Sequence, residues 1–325
     1  MIILVTGANG FIGSHVVRSL LKRDYQVRVF VRPNANMRNL DGLNVEVVHG
    51  DLLKPASVID AAAGCKAIIH AAGWINTHPL GNWRNWEINF LGATNVFTGG
   101  QLAGVDKIIY TASIFALGVS PDGQPANENV TDNLGHLKLP YIAARRMAQA
   151  KADRLVSEGV PIVFVYPTYC IGPGVHDFSA PPQRQIMAFL RGQLPFYSNG
   201  GMNLVDVRDA AEAHVLALER GEVGSKYLAG GEDVSLHDLF KRLARAAGRQ
   251  AVMLPVPQVA MLASGWAMQW FSRSPLMDAN TATLSKYHWY YDSSQAKNEL
   301  GYSPRPLDET LRDLVAWLKE NRYIR

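Results

Sequence analysis

Short apolar segments alternate with longer amphipathic segments over the first two-thirds of the chain. The apolar segments are hydrophobic at nearly every position, which is typical of strands buried on both faces of a sheet. The predicted strands are Ile2–Thr6, Gln26–Val31, Val45–His49, Ala67–His70, Lys107–Thr111 and Ile162–Tyr166. Helical segments begin near Phe11, Ala56, Trp83 and Tyr141. Because strands and helices alternate, we predict an α/β fold with a doubly wound parallel sheet of the Rossmann type.

The pattern becomes irregular after Gly172-Pro173-Gly174, where shorter candidate elements are separated by many prolines. We therefore predict a dinucleotide-binding Rossmann domain over residues 1–174 and a smaller, mostly substrate-binding region over residues 175–325. Some segments of the second part are expected to return to the first, because no flexible linker separates the two.

The composition is that of an ordinary globular enzyme, with 48% hydrophobic and 18% charged residues. The net charge of +4 is small and no dense basic run occurs, so we expect no nucleic-acid partner. Cys65 and Cys170 are too few for a disulfide framework, so we expect buried thiols and a cytoplasmic location. Pro255 and Pro257 interrupt the apolar stretch over residues 252–271, so we predict no membrane span. The histidines are too scattered to predict a metal site.

A glycine-rich turn follows the first predicted strand. Glycines at three-residue spacing allow a tight turn, let backbone N–H groups approach a pyrophosphate, and place it at a helix N-terminus that favours negative charge. The sequence therefore predicts a site for a nicotinamide dinucleotide. Its predicted contacts in this turn are Gly7, Asn9, Gly10, Phe11, Ile12 and Gly13.

The end of the second predicted strand indicates which dinucleotide is bound. An acidic residue at this place would accept hydrogen bonds from the adenosine ribose. The chain has Arg32 instead, with Arg38 shortly after it, and a guanidinium suits a 2′-phosphate. We therefore favour NADP(H), with NAD(H) as the alternative. Asp51-Leu52 follows the third strand and is predicted to approach the adenine, while the small residues of Ala71-Ala72-Gly73 let the cofactor lie close to the backbone.

The order of these motifs resembles that of the extended short-chain dehydrogenase/reductase family, which is also known as the NAD-dependent epimerase/dehydratase family. The resemblance covers essentially the whole chain and rests on Thr6-Gly7-Ala8-Asn9-Gly10, Asp51-Leu52, His70-Ala71-Ala72-Gly73, Ser113 and Tyr141-Ile142-Ala143-Ala144-Arg145. Within the family, the chain is most similar to the dihydroflavonol-4-reductase-like branch and especially to the bacterial proteins called hopanoid-associated sugar epimerases. The resemblance also implies a homodimer through the helices around residues 83–103 and 141–158.

The resemblance assigns three residues to catalysis. In the family, a tyrosine exchanges a proton with the substrate oxygen while a hydride moves to or from the nicotinamide. A serine orients that oxygen, and a lysine four residues after the tyrosine holds the nicotinamide ribose and lowers the pKa of the tyrosine. Tyr141 matches the tyrosine and Ser113 matches the serine, but Arg145 stands where the family has lysine.

Arginine at position 145 leaves two interpretations open. Its side chain keeps the positive charge and the hydrogen-bond donors, but it is bulkier and planar and does not carry protons. The protein is then either an active enzyme with Arg145 in the role of the lysine, or a cofactor-binding protein with weak or no catalysis.

Further contacts are implied by the same resemblance. Additional cofactor contacts are assigned to Asn89, Thr111, Tyr141, Arg145, Pro167 and Thr168. Separately from the resemblance, we predict substrate contacts at Trp74, Phe115, Tyr169 and Phe178. For Phe115, a place beside the nicotinamide and a place in the core both stay open. Trp83 and Trp86 either line the substrate pocket or pack a helix, and their spacing leaves this open.

The expected substrate is a small molecule. The stretch over residues 198–205 lacks the acidic turn and the arginine that contact a diphosphate in nucleotide-sugar enzymes of the family, so a diphosphate would need Arg184 or Arg191. Aromatic residues fit a less polar ketone or alcohol, namely Trp74, Phe178, Phe196, Tyr197 and Trp266. We therefore predict an NADP(H)-dependent carbonyl reductase or alcohol dehydrogenase. The alternatives are a nucleotide-sugar epimerase or dehydratase and a non-catalytic NADP(H)-binding protein.

Overall fold

The computed structural model describes residues 1–75, 82–120, 122–130, 132–137, 139–174, 176, 178, 181–194, 196–250, 253–271 and 279–324. For residues 82, 181, 265–271 and 279–281 it describes the backbone alone. Trp266, one of the aromatic residues expected near a substrate, therefore has a side chain outside the described part.

The described elements confirm the predicted alternation of strands and helices. The strands are β1 (Ile2–Thr6), β2 (Gln26–Val31), β3 (Glu46–His49), β4 (Ala67–His70), β5 (Lys107–Thr111), β6 (Ile162–Pro167), β7 (Tyr169–Ile171), β8 (Phe196–Tyr197), β9 (Gly201–Asp206), β10 (Lys226–Ala229), β11 (Glu232–Ser235), β12 (Leu254–Pro255) and β13 (His288–Trp289). The α-helices are α1 (Phe11–Leu21), α2 (Pro55–Ala62), α3 (Asn82–Trp86), α4 (Ala93–Leu102), α5 (Ile114–Leu117), α6 (Pro140–Ser157), α7 (Pro181–Leu190), α8 (Val207–Arg220), α9 (Leu236–Ala247), α10 (Gln258–Phe271), α11 (Ala279–Leu284) and α12 (Leu307–Glu320). Residues Arg38–Leu40 form a 3₁₀ turn, and Glu87–Gly92 and Ala296–Leu300 are π-helical.

Seven parallel strands form the main sheet in the order β10-β6-β5-β4-β1-β2-β3. The chain builds outward from β1 to β3 and then returns to add β4, β5 and β6 on the other side of β1. The strand order therefore reverses between β1 and β4. In a doubly wound sheet, ligands bind at the carboxyl ends of the strands beside such a reversal.

Helices cover both faces of this sheet, which explains why its strands are apolar throughout. Ile3 and Val5 of β1 pack with residues of α1 and α8, whereas Leu4 between them packs with residues of α2 and α4. All three are fully buried. Burial on both faces is typical of parallel sheets, and it removes the alternation of polar and apolar positions seen in half-exposed strands.

The described strands of the C-terminal part belong to three sheets. Helix α8 packs on α1, and β10 joins the edge of the main sheet beside β6. In the second sheet, β9 pairs with β7, β11 and β13. The short strands β8 and β12 pair with each other in a third sheet. Since β7 already belongs to the second sheet, the chain leaves the main sheet at Pro167, before the predicted boundary at residue 174.

Helix α10 covers most of the apolar stretch that the sequence singles out. Within the described residues, none of the helices combines the length and the apolar character that crossing a membrane requires.

Candidate active site

The glycine-rich turn has a geometry that side chains would prevent. Gly7 has a φ of +67°, and a Cβ on it would lie 2.5 Å from the Ala72 backbone. A Cβ on Gly13 would lie 2.1 Å from the Gly7 carbonyl oxygen. The Gly10 N–H donates to the same oxygen at 2.9 Å, closing the turn. No described side chain caps α1 at Gly10, so the N–H groups of its first turn are available to an anion such as a pyrophosphate.

One cavity of about 1170 Å³ runs along the carboxyl ends of the central strands. It begins at Arg32 and Arg38, passes the glycine-rich turn, and ends among aromatic residues that include Trp289. The residues predicted for catalysis and cofactor binding line it, apart from Asn89: Gly7, Asn9, Gly10, Phe11, Ile12, Gly13, Arg32, Arg38, Asp51, Leu52, Ala71, Ala72, Gly73, Thr111, Ser113, Tyr141, Arg145, Pro167 and Thr168. The volume of the cavity is therefore large enough for a dinucleotide together with a small molecule.

The entrance near β2 is a polar loop tied to the glycine-rich turn. Asn9 Nδ2 donates to the Asn36 carbonyl oxygen at 3.1 Å, and Asn39 Nδ2 donates to the Asn9 carbonyl oxygen at 2.9 Å. Arg32 and Arg38 are exposed at the edge of the cavity on this loop. These links hold the loop with its two guanidinium groups beside the site for the pyrophosphate.

Asn89 lies behind the cavity instead of lining it. Its buried amide donates to the Trp74 carbonyl oxygen at 2.8 Å and accepts from the Trp74 N–H at 2.9 Å. The Asn89 amide, predicted to contact the cofactor, is thus used within the protein in this structure. The side chain instead holds the segment after β4, where Trp74 faces the cavity.

Phe178 also lies away from the place that the sequence assigned to it. Its ring packs edge-on against Tyr323, with centroids 4.9 Å apart, and belongs to the core between α7 and α12. The other substrate candidates, Trp74, Phe115 and Tyr169, line the main cavity. A local aromatic pattern does not distinguish a pocket wall from a nearby core, and Phe178 packs in the core.

Thr111 and Thr168, two predicted cofactor contacts, form hydrogen bonds through their hydroxyl groups to other side chains of the protein. Burial lowers the pKa of His214 to about 4, so its ring is neutral; Nδ1 donates to the Ala210 carbonyl oxygen at 2.7 Å. Its Nε2 therefore accepts from the Thr111 hydroxyl at 2.8 Å. The Thr168 hydroxyl similarly donates to Asn203 Oδ1 at 2.8 Å. Both threonines line the cavity with other atoms.

The three predicted catalytic residues meet on one wall of the cavity. Ser113 ends the segment after β5 and caps the short helix α5, where it accepts from the Phe115 N–H at 3.3 Å. Pro140 begins α6 with a φ suited to a first helical position. Tyr141 follows it, and Arg145 lies one turn later on the same face, with its guanidinium carbon 5.5 Å from the centre of the Tyr141 ring. All three side chains are buried.

The Arg145 guanidinium has donors that the described part of the chain leaves unused. Nε and Nη1 are buried without a hydrogen-bond partner among the described residues. Burial acts to lower its pKa, but the hydroxyl groups of Tyr141 and Tyr110 hold the pKa of Arg145 above its ordinary value, so the side chain is charged. Buried donors without acceptors are unfavourable. A ribose with two hydroxyl groups in this cavity would supply the acceptors, so the residues present fit a nicotinamide dinucleotide.

Aromatic rings form the compartment beyond Tyr141. The Phe115 ring lies 5.7 Å from Tyr141, 6.2 Å from Tyr169 and 4.7 Å from Trp289, measured between centroids. Tyr287 packs on Trp289 at 5.8 Å and also lines the cavity. Trp289 and Tyr287 were missed by sequence reasoning. Their proximity depends on the parallel pairing of β13 with β9, which no local pattern near residue 289 indicates.

Trp83 and Trp86 are not part of this compartment. Trp83 lies 4.8 Å from Trp86, which in turn lies 5.7 Å from Phe90, so these rings pack along one helical surface. The open alternative is resolved in favour of helix packing. Trp74, by contrast, faces the cavity with Arg84 over its ring at 5.0 Å.

Comparison with known proteins agrees with this geometry. The pattern of the NAD dependent epimerase/dehydratase family matches residues 3–230. A protein named putative dihydroflavonol 4-reductase, from Synechocystis sp., is 33% identical over 99% of this chain and 95% of its own length. Sterol demethylase protein B of Methylococcus capsulatus is 28% identical over the full length of both chains.

A solved structure shares the fold at lower identity. It is titled a nucleoside-diphosphate-sugar epimerase from Pseudomonas aeruginosa and superposes with a TM-score of 0.84 at 24% identity, over 100% of this chain and 99% of that one. Together with the glycine-rich turn and the Ser113, Tyr141 and Arg145 arrangement, the family match identifies the chain. It belongs to the NAD-dependent epimerase/dehydratase family of extended short-chain dehydrogenase/reductase enzymes.

Proposed function

We propose that the protein is an NADP(H)-dependent oxidoreductase that transfers a hydride between nicotinamide and a fairly apolar ketone or alcohol. The observation that carries this proposal is the meeting of Ser113, Tyr141 and Arg145 where the cofactor cavity opens into an aromatic compartment. The similarity to a protein named as a reductase supports it.

Each catalytic side chain has a role that its position supports. When bound, the nicotinamide supplies or accepts the hydride. The Tyr141 hydroxyl donates its proton to the carbonyl oxygen during reduction and takes it back during oxidation. The Ser113 hydroxyl donates to the same oxygen and orients it. Arg145 binds the ribose hydroxyls, and its positive charge stabilises the phenolate that Tyr141 becomes after donating its proton.

The walls of the substrate compartment favour an apolar molecule. Phe115, Tyr169, Tyr287 and Trp289 provide mainly ring surface. Burial raises the pKa of the Tyr169 phenol, so this ring adds no negative charge. Apolar pockets with few polar groups bind ligands mainly through buried area, while the polar groups fix orientation.

The preference for NADP(H) rests on the loop after β2. Arg32 and Arg38 face the cavity entrance, and no acidic residue occurs between them to bind the ribose 2′-hydroxyl. Two guanidinium groups can form charge-assisted hydrogen bonds with a 2′-phosphate.

A cofactor-coupled substrate panel tests the proposal. Purified protein is given NADPH with ketones and aldehydes of graded polarity, and separately NADP⁺ with the corresponding alcohols. We expect net oxidation of NADPH in proportion to alcohol formed, with apolar carbonyl compounds preferred. A nucleotide-sugar that changes configuration or loses water without net cofactor turnover would contradict the proposal.

A nucleotide-sugar epimerase or dehydratase is the second candidate, and one observation favours it. Arg184 on α7 lines the cavity, at a place where it could meet a diphosphate. Direct titration with nucleoside diphosphates tests this role. Binding that is weakened by Arg184→Ala but not by Arg32→Ala would support the second candidate.

We also propose a homodimer in the cytoplasm. Trp83, Leu102 and Met147 lie in α3, α4 and α6 with exposed fractions of 67%, 73% and 43%. These helices are the ones that the family resemblance assigns to a dimer interface, and the two buried thiols suit a reducing compartment. Light scattering should give the mass of two chains, and Leu102→Glu should give the mass of one.

A further inference from the structure

Arg145, the residue that departs from the family pattern, lies in a recess shaped to its side chain. Gly73 is at the base of this recess: a Cβ added there would lie 2.5 Å from Arg145 Nη2. The other atoms near that Cβ are Arg145 Cζ and Asn89 Oδ1, both at 3.5 Å. Gly73 does not have a positive φ, so its backbone would accept alanine. A side chain at this position would therefore meet the guanidinium and not the backbone.

Two buried rings, those of Tyr110 and His70, lie near the guanidinium. Tyr110 is 1% exposed, and its hydroxyl is close enough to Arg145 for the two groups to influence each other's pKa. His70 stacks on Tyr110 with centroids 5.8 Å apart and an angle of 15° between the rings. Burial together with the Arg145 charge lowers the pKa of His70 to about 3, so it is neutral. The recess thus holds one cation and no competing charge from these two side chains.

His70 also has a ring nitrogen that forms no hydrogen bond with the described residues. Its Nδ1 lies 2.6 Å from the Thr6 hydroxyl, whereas Nε2 is buried without a partner among the described residues. Arg145 Nε and Nη1 are likewise buried without a hydrogen-bond partner among the described residues. A lysine ammonium is more compact and would lack the planar guanidinium that lies beside Gly73 and influences the pKa of Tyr110.

We propose that Gly73, Tyr110 and His70 are positioning residues that form a guanidinium-specific recess, so that arginine is the functional residue at position 145. Arg145 is then not a weakened substitute for lysine. The effect of the recess on catalysis rests on the proposed function. Its effect on cofactor binding can be measured without a substrate.

A double-mutant cycle tests the recess directly. Gly73→Ala, Arg145→Lys and the double variant are titrated with NADPH, which requires no substrate. We expect each single variant to weaken NADPH binding by about tenfold, and Gly73→Ala to change it by no more than about twofold in the Arg145→Lys background. If Gly73→Ala weakens binding equally in both backgrounds, or if Arg145→Lys binds NADPH as tightly as the wild type, the proposal is wrong.

A second pair of variants tests Tyr110 as a positioning residue. Tyr110→Phe removes a buried hydroxyl beside Arg145, whereas Tyr166→Phe removes a buried hydroxyl that bonds to Gln149 at 2.7 Å, outside the cavity. With any alcohol that the panel identifies as a substrate, kcat is measured as a function of pH. In Tyr110→Phe, the increase in kcat should occur at a higher pH than in the wild type. In Tyr166→Phe, it should occur at the wild-type pH. Equal pH profiles for all three proteins would overturn the role of Tyr110.

The two proposals fail in different ways. If the cycle shows the expected coupling in NADPH binding and no carbonyl compound or alcohol reacts, the oxidoreductase function is wrong and the recess stands. If turnover occurs and the cycle shows no coupling, the function stands and the recess is wrong.

Discussion

At the scale of single residues, chemistry that depends on residue type was predictable and chemistry that depends on burial was not. The spacing of Gly7, Gly10 and Gly13 predicts a tight turn, and in the structure a Cβ on Gly7 or Gly13 would lie less than 3.0 Å from backbone atoms. Asn89 was predicted from the family resemblance and Phe178 from an aromatic pattern, but their partners come from other elements. The recess around Arg145 was also invisible, because Tyr110 and His70 come from neighbouring strands.

Arg32 gives the most direct prediction at this scale. Arg32→Ala removes a guanidinium that can bond to a 2′-phosphate, and such charge-assisted bonds contribute about 1.5–3 kcal/mol. Titration should show NADPH affinity reduced by about tenfold or more. NADH affinity in the same variant is the control and should stay within about twofold of wild type. An equal loss for both dinucleotides would contradict the assignment to the 2′-phosphate.

At the scale of elements, strands were easier to predict than the pairing between distant strands. The six predicted strands are present, with small changes at their ends: β3 begins at Glu46 and β6 extends to Pro167. The pairing of β7 with β9 depends on contacts between distant parts of the chain. Trp289 lies beside Phe115, although more than a hundred residues separate the two in the sequence. Local periodicity carries no information about such pairing.

The junction of β1 and α1 gives a stability prediction. Gly13→Ala would place a methyl group 2.1 Å from the Gly7 carbonyl oxygen, and overpacking of this kind costs about 1–3 kcal/mol. Urea unfolding should show that loss in the free energy of unfolding. Gly92→Ala is the matched control, since its Cβ would meet Leu52 at 3.4 Å, an ordinary contact, and its stability should be nearly that of wild type.

At the scale of the whole molecule, buried neutral histidines couple stability to pH. The pKa values of His70 and His214 are lowered to about 3 and about 4, whereas an unfolded histidine has a pKa of about 6.5. Below about pH 6.5 the unfolded chain therefore binds protons that the folded chain excludes, and stability falls as pH falls.

Urea unfolding at two pH values measures this linkage. Between about pH 7.5 and about pH 5.5, each of the two histidines should remove about 1.4 kcal/mol from the free energy of unfolding. His214→Asn should make the loss smaller by about that amount, whereas the exposed His288→Gln should not change it. A pH dependence that His214→Asn leaves unaltered would show that other groups cause it.

The central claim concerns the proton of Tyr141, and the most direct test compares Tyr141→Phe with wild type on the best substrate from the panel. NADPH binding is titrated in both proteins, with Tyr166→Phe as the control for loss of a buried hydroxyl. We predict that Tyr141→Phe binds NADPH within about twofold of wild type and loses at least about a hundredfold in kcat. Turnover by Tyr141→Phe at the wild-type rate would contradict the account.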